Sequence, residues 1–363
     1  MNISKNDSER ITSLRFLLMC LVVFLHVQTE DGYNGNICLY VQKIFTACSS
    51  DAVNIFFLIS SYLLFLKGDR YPVMLKKKMK NVILPYFLWP ASFLFFVKIL
   101  PKLIASIFFP DRLDNPWIFY TSDWTFVDYF RFFFFYAGKL QHPYWLQFWF
   151  LRQLIFMIII SPLIYFLARK TAVEFLIALF VIAVGAIPAI NDVALYIVFT
   201  PLLFFYMGAL CAIYNFSFFS IADKVKWWSL IVSFSVGFVL LNILKMNLGW
   251  TFLVFYMFIK CLILLKFSSF LVQKNEKDLV GTKVFSILKN LSGYSFFLYA
   301  IHLHILNPFL SFLYKKCFTI DNDLKLLGHF FFVSTGDIIL AVFLGMLLKR
   351  LAPKIYNLYT GGR

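Results

Sequence analysis

Apolar runs of roughly twenty residues recur along this chain, separated by short basic loops, and no other feature limits its fold so tightly. They lie near 11–28, 50–67, 82–109, 145–168, 173–190, 194–214, 227–245, 249–267, 292–314 and 326–350. Inside a bilayer every backbone N–H and C=O must be satisfied without water, and a run of this length does so as an α-helix. A membrane barrel would instead alternate in segments of about ten residues. The expected fold is therefore all-α: a polytopic membrane bundle of about ten transmembrane helices, forming a single integral-membrane domain over 1–363. With 61% hydrophobic and 14% charged residues, the chain has too few charges to cover a water-facing surface. Its 48 Phe exclude disorder for the same reason.

Two stretches depart from simple spans. The third run carries Pro85, Pro90 and Pro101, so it is expected to kink or to end in a piece lying along the surface. The Phe-rich segment Tyr129–Tyr136 is too short to cross and contains Arg131, which reads as re-entrant or interfacial.

Charge placement sets the orientation. Ten spans put both termini on one side, and that side collects 21 of the 34 Lys and Arg, against 8 on the other and 5 within spans. Cytoplasmic loops hold such an excess, so both termini are expected in the cytoplasm of a cell that carries the protein in its inner membrane. The net charge of +16 then reflects topology and contact with anionic membrane lipids. No repeated basic-aromatic pattern is present, and nucleic acid is excluded as a partner. The first apolar run contains Arg15 and lacks a small-residue cleavage site, so it is expected to stay as the first span. Six scattered Cys show no metal-ligand spacing, and no metal is expected; Cys38 and Cys48, in the first external loop, either pair or remain free thiols.

Ionisable groups within spans are costly and mark candidate function. Arg15 and His26 are eleven residues apart in the first span, an offset of about 20° after three turns, so they share a helix face about 16 Å apart along the axis. Such a pair suits a long substrate with an anionic head and a reactive tip. The alternatives are a snorkelling arginine and a satisfied interior histidine. Glu30, one turn past His26, either orients the imidazole or is an interfacial loop carboxylate. Ser60 and Ser61 interrupt the second run, for chemistry or for close helix packing. Lys76, Lys77, Lys78 and Lys80, with Arg70 nearby, form a cationic cluster before the third span, either a topology anchor or a phosphate clamp. Arg152 lies inside the fourth span and needs a partner or a wet cavity. In the ninth, Ser295, Tyr299 and His302 recur on one face while His304 points elsewhere. Asp337 in the tenth is expected to pair with a buried cation.

Taken together, Arg15-x10-His26, FFLISSY (56–62), the cationic cluster ahead of LPYFLW (84–89), WFLRQL (149–154) and SFFLYAIH (295–302) resemble the membrane acyltransferase 3 family, over residues 10 to about 350. Four positions depart from its pattern: Ser61 replaces a glycine, Asn54 an aspartate, and Lys77 and Lys80 stand for paired arginines. The resemblance implies an O-acyltransferase, expected to be an O-acetyltransferase. It would move an acyl group from cytoplasmic acetyl-CoA, a co-substrate, to a hydroxyl of a surface glycan or its lipid-linked precursor. His26 takes the role of general base in that picture, with Glu30, Ser60, Tyr299 and His302 as further catalytic candidates. Arg15, Arg70, Lys77, Lys80 and Arg152 are the candidate donor-binding cations, and Ser60, Tyr299 and Arg152 the candidate oxyanion donors. Buried Arg, His and Asp on proline-interrupted helices also fit a proton-coupled transporter or flippase for a polysaccharide precursor.

Overall fold

The computed structural model describes residues 3–27, 36–99, 125–134, 145–186, 193–246, 248–272 and 279–362, and among these the chain is helical with no strand. Helix α1 spans Lys5–His26, started by Ser4, whose hydroxyl accepts the Asp7 N–H at 3.0 Å. Helices α2 (Asn36–Ser49) and α3 (Ala52–Leu66) follow, joined so closely that Ile37–Leu66 reads as one apolar stretch of 30 residues. The first external loop of the sequence reading is thus largely helix. Cys38 and Cys48 both lie on α2, and all six cysteines are free.

Helix α4 (Tyr71–Lys78) passes through a π-helical turn at Met79–Ile83 into α5 (Leu84–Phe93), which contains Pro90. Then come the short α6 (Phe126–Phe134), α7 (Trp149–Ile159) and α8 (Ser161–Lys170). The last two meet at 62°, where Pro162 cannot donate a backbone hydrogen bond. Helices α9 (Ala172–Val181), α10 (Val193–Ile213), α11 (Phe218–Lys224) and α12 (Trp227–Phe238) precede α13 (Gly249–Val272) and α14 (Leu279–Leu291). Helix α15 (Ser295–Ile301) turns through a π segment at His302–Leu306 into α16 (Asn307–Cys317). The chain closes with α17 (Asp323–Leu351) and α18 (Pro353–Thr360).

Among the described residues four helical stretches are long and apolar enough to cross a membrane: Ile37–Leu66, Gly249–Val272, Lys283–Cys317 and Asp323–Leu351. Counting each of two bent pairs as one span gives six, and Ala172–Gly185 and Trp227–Ile243 are shorter apolar helices.

Small residues bring α3 and α10 together. A Cβ on Gly208 would stand 2.2 Å from the Leu58 carbonyl oxygen and 3.1 Å from the Ser61 Cβ, so only glycine permits this approach. Arg10 fastens the start of α1. Its guanidinium donates to both Asp223 carboxylate oxygens (2.6 and 3.1 Å), to Ser268 Oγ (2.8 Å) and to the Leu265 carbonyl (2.8 Å). It also lies 4.1 Å from the centre of the Phe219 ring. A buried charge needs such a full set of partners.

These contacts fix how α1 and α3 run. Phe219 touches Phe218 (4.4 Å between rings), and Phe218 touches Tyr62 (5.1 Å), placing the start of α1 beside the C-terminal half of α3. At the other end, Gln42 of α2, which leads into α3, donates to the Val27 carbonyl at 3.2 Å. The two helices are antiparallel, and His26 stands at the level where α3 begins.

Candidate active site

Arg15, Met19, Val22 and His26 are spaced by four, three and four residues, the interval that keeps side chains on one face of a helix. They form one wall of a cavity of about 510 Å³. On α3, Val53, Phe56, Ser60 and Leu63, with Lys67 just past its end, repeat the interval and form the facing wall. Trp149, Phe150 and Leu154 of α7 and Ser295 and Tyr299 of α15 complete it. Val53 and Lys67 are fourteen residues apart, so the cavity runs about 20 Å along the helices.

The two ends differ in chemistry. Lys67, Lys77 and Lys78 surround one end, with Asp69 holding the Lys77 ammonium at 2.9 Å. Arg15 opens into the cavity from the side, adding to an excess of positive charge. The His26 end is apolar and aromatic. Its imidazole lies 5.4 Å, centre to centre, from that of His302.

His302 itself is fully buried and off the cavity wall. Its Nδ1–H donates to the carbonyls of Tyr299 (3.0 Å) and Leu298 (3.2 Å), and Nε2 has no partner among the described residues. The three-residue face expected of Ser295, Tyr299 and His302 is therefore split: the first two reach the cavity, and the third backs onto His26.

Tyr299 donates its hydroxyl proton to the Gln147 carbonyl at 2.5 Å. Gln147 ties this corner together. Its Nε2 donates to the Ala300 carbonyl at 3.1 Å, and its Oε1 accepts from His304 Nδ1 at 2.9 Å. His304 stacks on Trp145 with ring centres 4.6 Å apart. Gln147 lines the cavity as well, and sequence reasoning missed it: a glutamine at the head of an apolar run carries no periodic signal.

Several expected members lie elsewhere. Arg152 is not on the cavity wall; its guanidinium donates to the Phe134 carbonyl of α6 at 2.6 Å, because it projects from the opposite face of α7 to Leu151 and Leu154. Arg70 is exposed just ahead of α4, away from the wall. Lys80 is also exposed and off the wall, while Lys78 is on it. The wall on this segment is built by Met74, Lys77, Lys78, Asn81 and Val82, spaced i, i+3, i+4, i+7 and i+8, and Lys80 projects from a different side. Glu30 lies outside the described residues.

Asp337 is fully buried, and neither carboxylate oxygen has a hydrogen-bond partner among the described residues, so the expected ion pair does not form. Lys260, one of the cations within the apolar runs, pairs with Asp51 instead, at 2.5 Å. The Ser60–Ser61 pair divides between its two readings: Ser60 faces the cavity, and Ser61 is buried against α10.

A model of a protein family, described as an acyltransferase domain, matches residues 9–356, nearly the whole chain. No curated protein and no solved structure matches it.

Proposed function

This chain belongs to the acyltransferase 3 family and is a membrane acyltransferase, and on that premise we propose that it is an O-acyltransferase moving an acetyl group from acetyl-CoA to a glycan hydroxyl. The observation that carries this reading is the single cavity joining a cationic mouth to an imidazole. In the proposed orientation both termini and that mouth face the cytoplasm of the inner membrane.

Lys67, Lys77, Lys78 and Arg15 are suited to hold the donor's phosphates, lysines as point charges and the arginine as a fork. The narrow run toward His26 then suits the pantetheine arm, with the thioester at its tip. His26 takes the proton of the acceptor hydroxyl as that oxygen forms a bond to the thioester carbonyl carbon. The resulting oxyanion needs a donor, and Ser60 is the candidate: its hydroxyl is on the wall, whereas the Tyr299 proton is given to Gln147 and Arg152 is turned to Phe134. When the tetrahedral centre collapses, the C–S bond breaks and the departing thiolate takes the proton from the imidazolium. The products are the O-acetyl ester and free CoA.

The test is His26→Ala in the purified protein supplied with acetyl-CoA and glycan. Loss of a general base lowers the rate by about 10²–10⁴-fold. In cells the glycan should still be made and exported, without its O-acetyl groups. Unchanged acetylation would remove His26 from the reaction; a glycan stranded inside would favour transport.

A further inference from the structure

A second cavity, of about 680 Å³, lies on the far side of the His26 end. The two share Val53 and Trp149 as a common wall. Asp51, at the start of α3, lines the second cavity, while Lys67, just past the end of that helix, lines the first. The first cavity, lined by His26, and the second, lined by α2 and the start of α3, thus meet at the Val53–Trp149 wall. Gln42 lines the second cavity and donates to the carbonyl of Val27, the residue after His26.

The lining is polar in a specific way. Asp51 and Lys260 form an ion pair at 2.5 Å with only 8% and 11% of their side chains exposed. Lys260 also donates to Ser50 Oγ (2.7 Å), and the Asn54 amide donates to Asp51 (3.1 Å), which leaves its carbonyl oxygen to accept. Thr200, 2% exposed, lines the same space, and its hydroxyl has no partner among the described residues. A buried hydroxyl without a partner is costly and points to an absent group that would bond to it. The Trp149 indole and the Tyr256 ring supply flat apolar surface beside these polar groups.

Paired donors and acceptors next to an aromatic face match one chemistry, a sugar ring, whose hydroxyls both give and accept hydrogen bonds while its C–H face stacks. We propose that this second cavity is the acceptor site. It holds a saccharide ring of the glycan through Thr200, Asn54 and the Asp51–Lys260 pair, and it presents one hydroxyl past Val53 and Trp149 to His26. The assignment rests on the acyl-transfer reading for the reaction, not for the binding of sugar.

The experiment uses the full-length protein in lipid nanodiscs, acetyl-CoA, and oligosaccharides released from the glycan of cells that lack this protein. Two variants probe the cavity. Thr200→Val removes the unpaired hydroxyl at constant shape, and Thr46→Trp fills the space from an exposed position on α2. Each is expected to raise the oligosaccharide KM by about tenfold or more, the worth of one lost hydrogen bond, with acetyl-CoA affinity unchanged. Saturation-transfer NMR of the oligosaccharides should show the same loss of binding. If the wild type transfers acetyl and both variants match it, the acceptor site is elsewhere and the acyl-transfer reading stands. If the oligosaccharides bind the wild type and not the variants, yet no acetyl moves, the site stands and the reaction falls. Absence of both binding and transfer overturns both.

Discussion

Arg15 and His26 project from one stripe of α1 into the same cavity, with the guanidinium nearer the lysine-lined mouth and the imidazole at the opposite end. A single helix thereby sets the distance between a site for negative charge and a site for proton transfer. Because α1 is fixed at its start by Arg10 and at its end by Gln42, that distance is held by packing at both termini.

The arrangement separates the roles of the two residues in kinetics. Arg15→Gln should raise the KM for acetyl-CoA by about ten- to a hundredfold, the worth of a charge-assisted hydrogen bond, and change kcat much less. His26→Ala should do the reverse. Steady-state kinetics with varied donor checks this, and a kcat effect alone at Arg15 would contradict the assignment.

The position of Lys78 on the cavity wall and of Lys80 off it predicts that neighbouring lysines differ. Lys78→Glu, on the cavity wall, should weaken donor binding by about tenfold, whereas Lys80→Glu, on the outer face, should leave it unchanged. Equal effects from the two reversals would mean that only the overall charge of this segment matters.

Gln147 is predicted to be a positioning residue. Gln147→Leu removes the side-chain oxygen that accepts from His304 Nδ1 and the amide that donates to the Ala300 carbonyl, costing about 1–3 kcal/mol. Thermal unfolding should register the loss, and Gln147→Glu, which sets a buried carboxylate oxygen against the Ala300 carbonyl, should not recover it.

Gly361 follows α18 at φ +71°, and a Cβ there would lie 2.3 Å from the Asn81 carbonyl oxygen. Gly361→Ala should therefore loosen α18 from α5, where the Trp89 indole N–H donates to the Tyr359 carbonyl at 2.9 Å and Ser92 meets the Tyr359 hydroxyl. Greater quenching of Trp89, measured against a Trp89→Phe control, is the expected signal. Since Asn81 also lines the first cavity, donor KM should rise with it.

Thr125 and Asp128 cap α6 reciprocally: the Thr125 hydroxyl and N–H donate to the carboxylate at 2.6 and 2.8 Å. Those bonds hold the Asp128 carboxyl below its ordinary range, the hydroxyl contributing most and the Thr125 N–H next. The folded value is depressed, so the cap's contribution is fully present above the ordinary carboxylate range and is lost as pH falls through the depressed value. Amide exchange in α6 should accelerate over that acidic window, and Asp128→Asn should flatten the dependence.

Periodicity in the sequence determined what lies along a single helix. The apolar runs specified helices, and the Arg15–His26 stripe followed from 3.6 residues per turn. Tertiary structure decided what faces what between helices. Asp51, not Asp337, received Lys260; Arg152 turned to α6; Lys78 rather than Lys80 met the cavity; and Gln147, invisible in any pattern, joined α15 to the cavity. The physical reason is range. Which face of a helix is apolar depends on residues within a few turns, whereas the partner of a buried polar group depends on how distant segments dock.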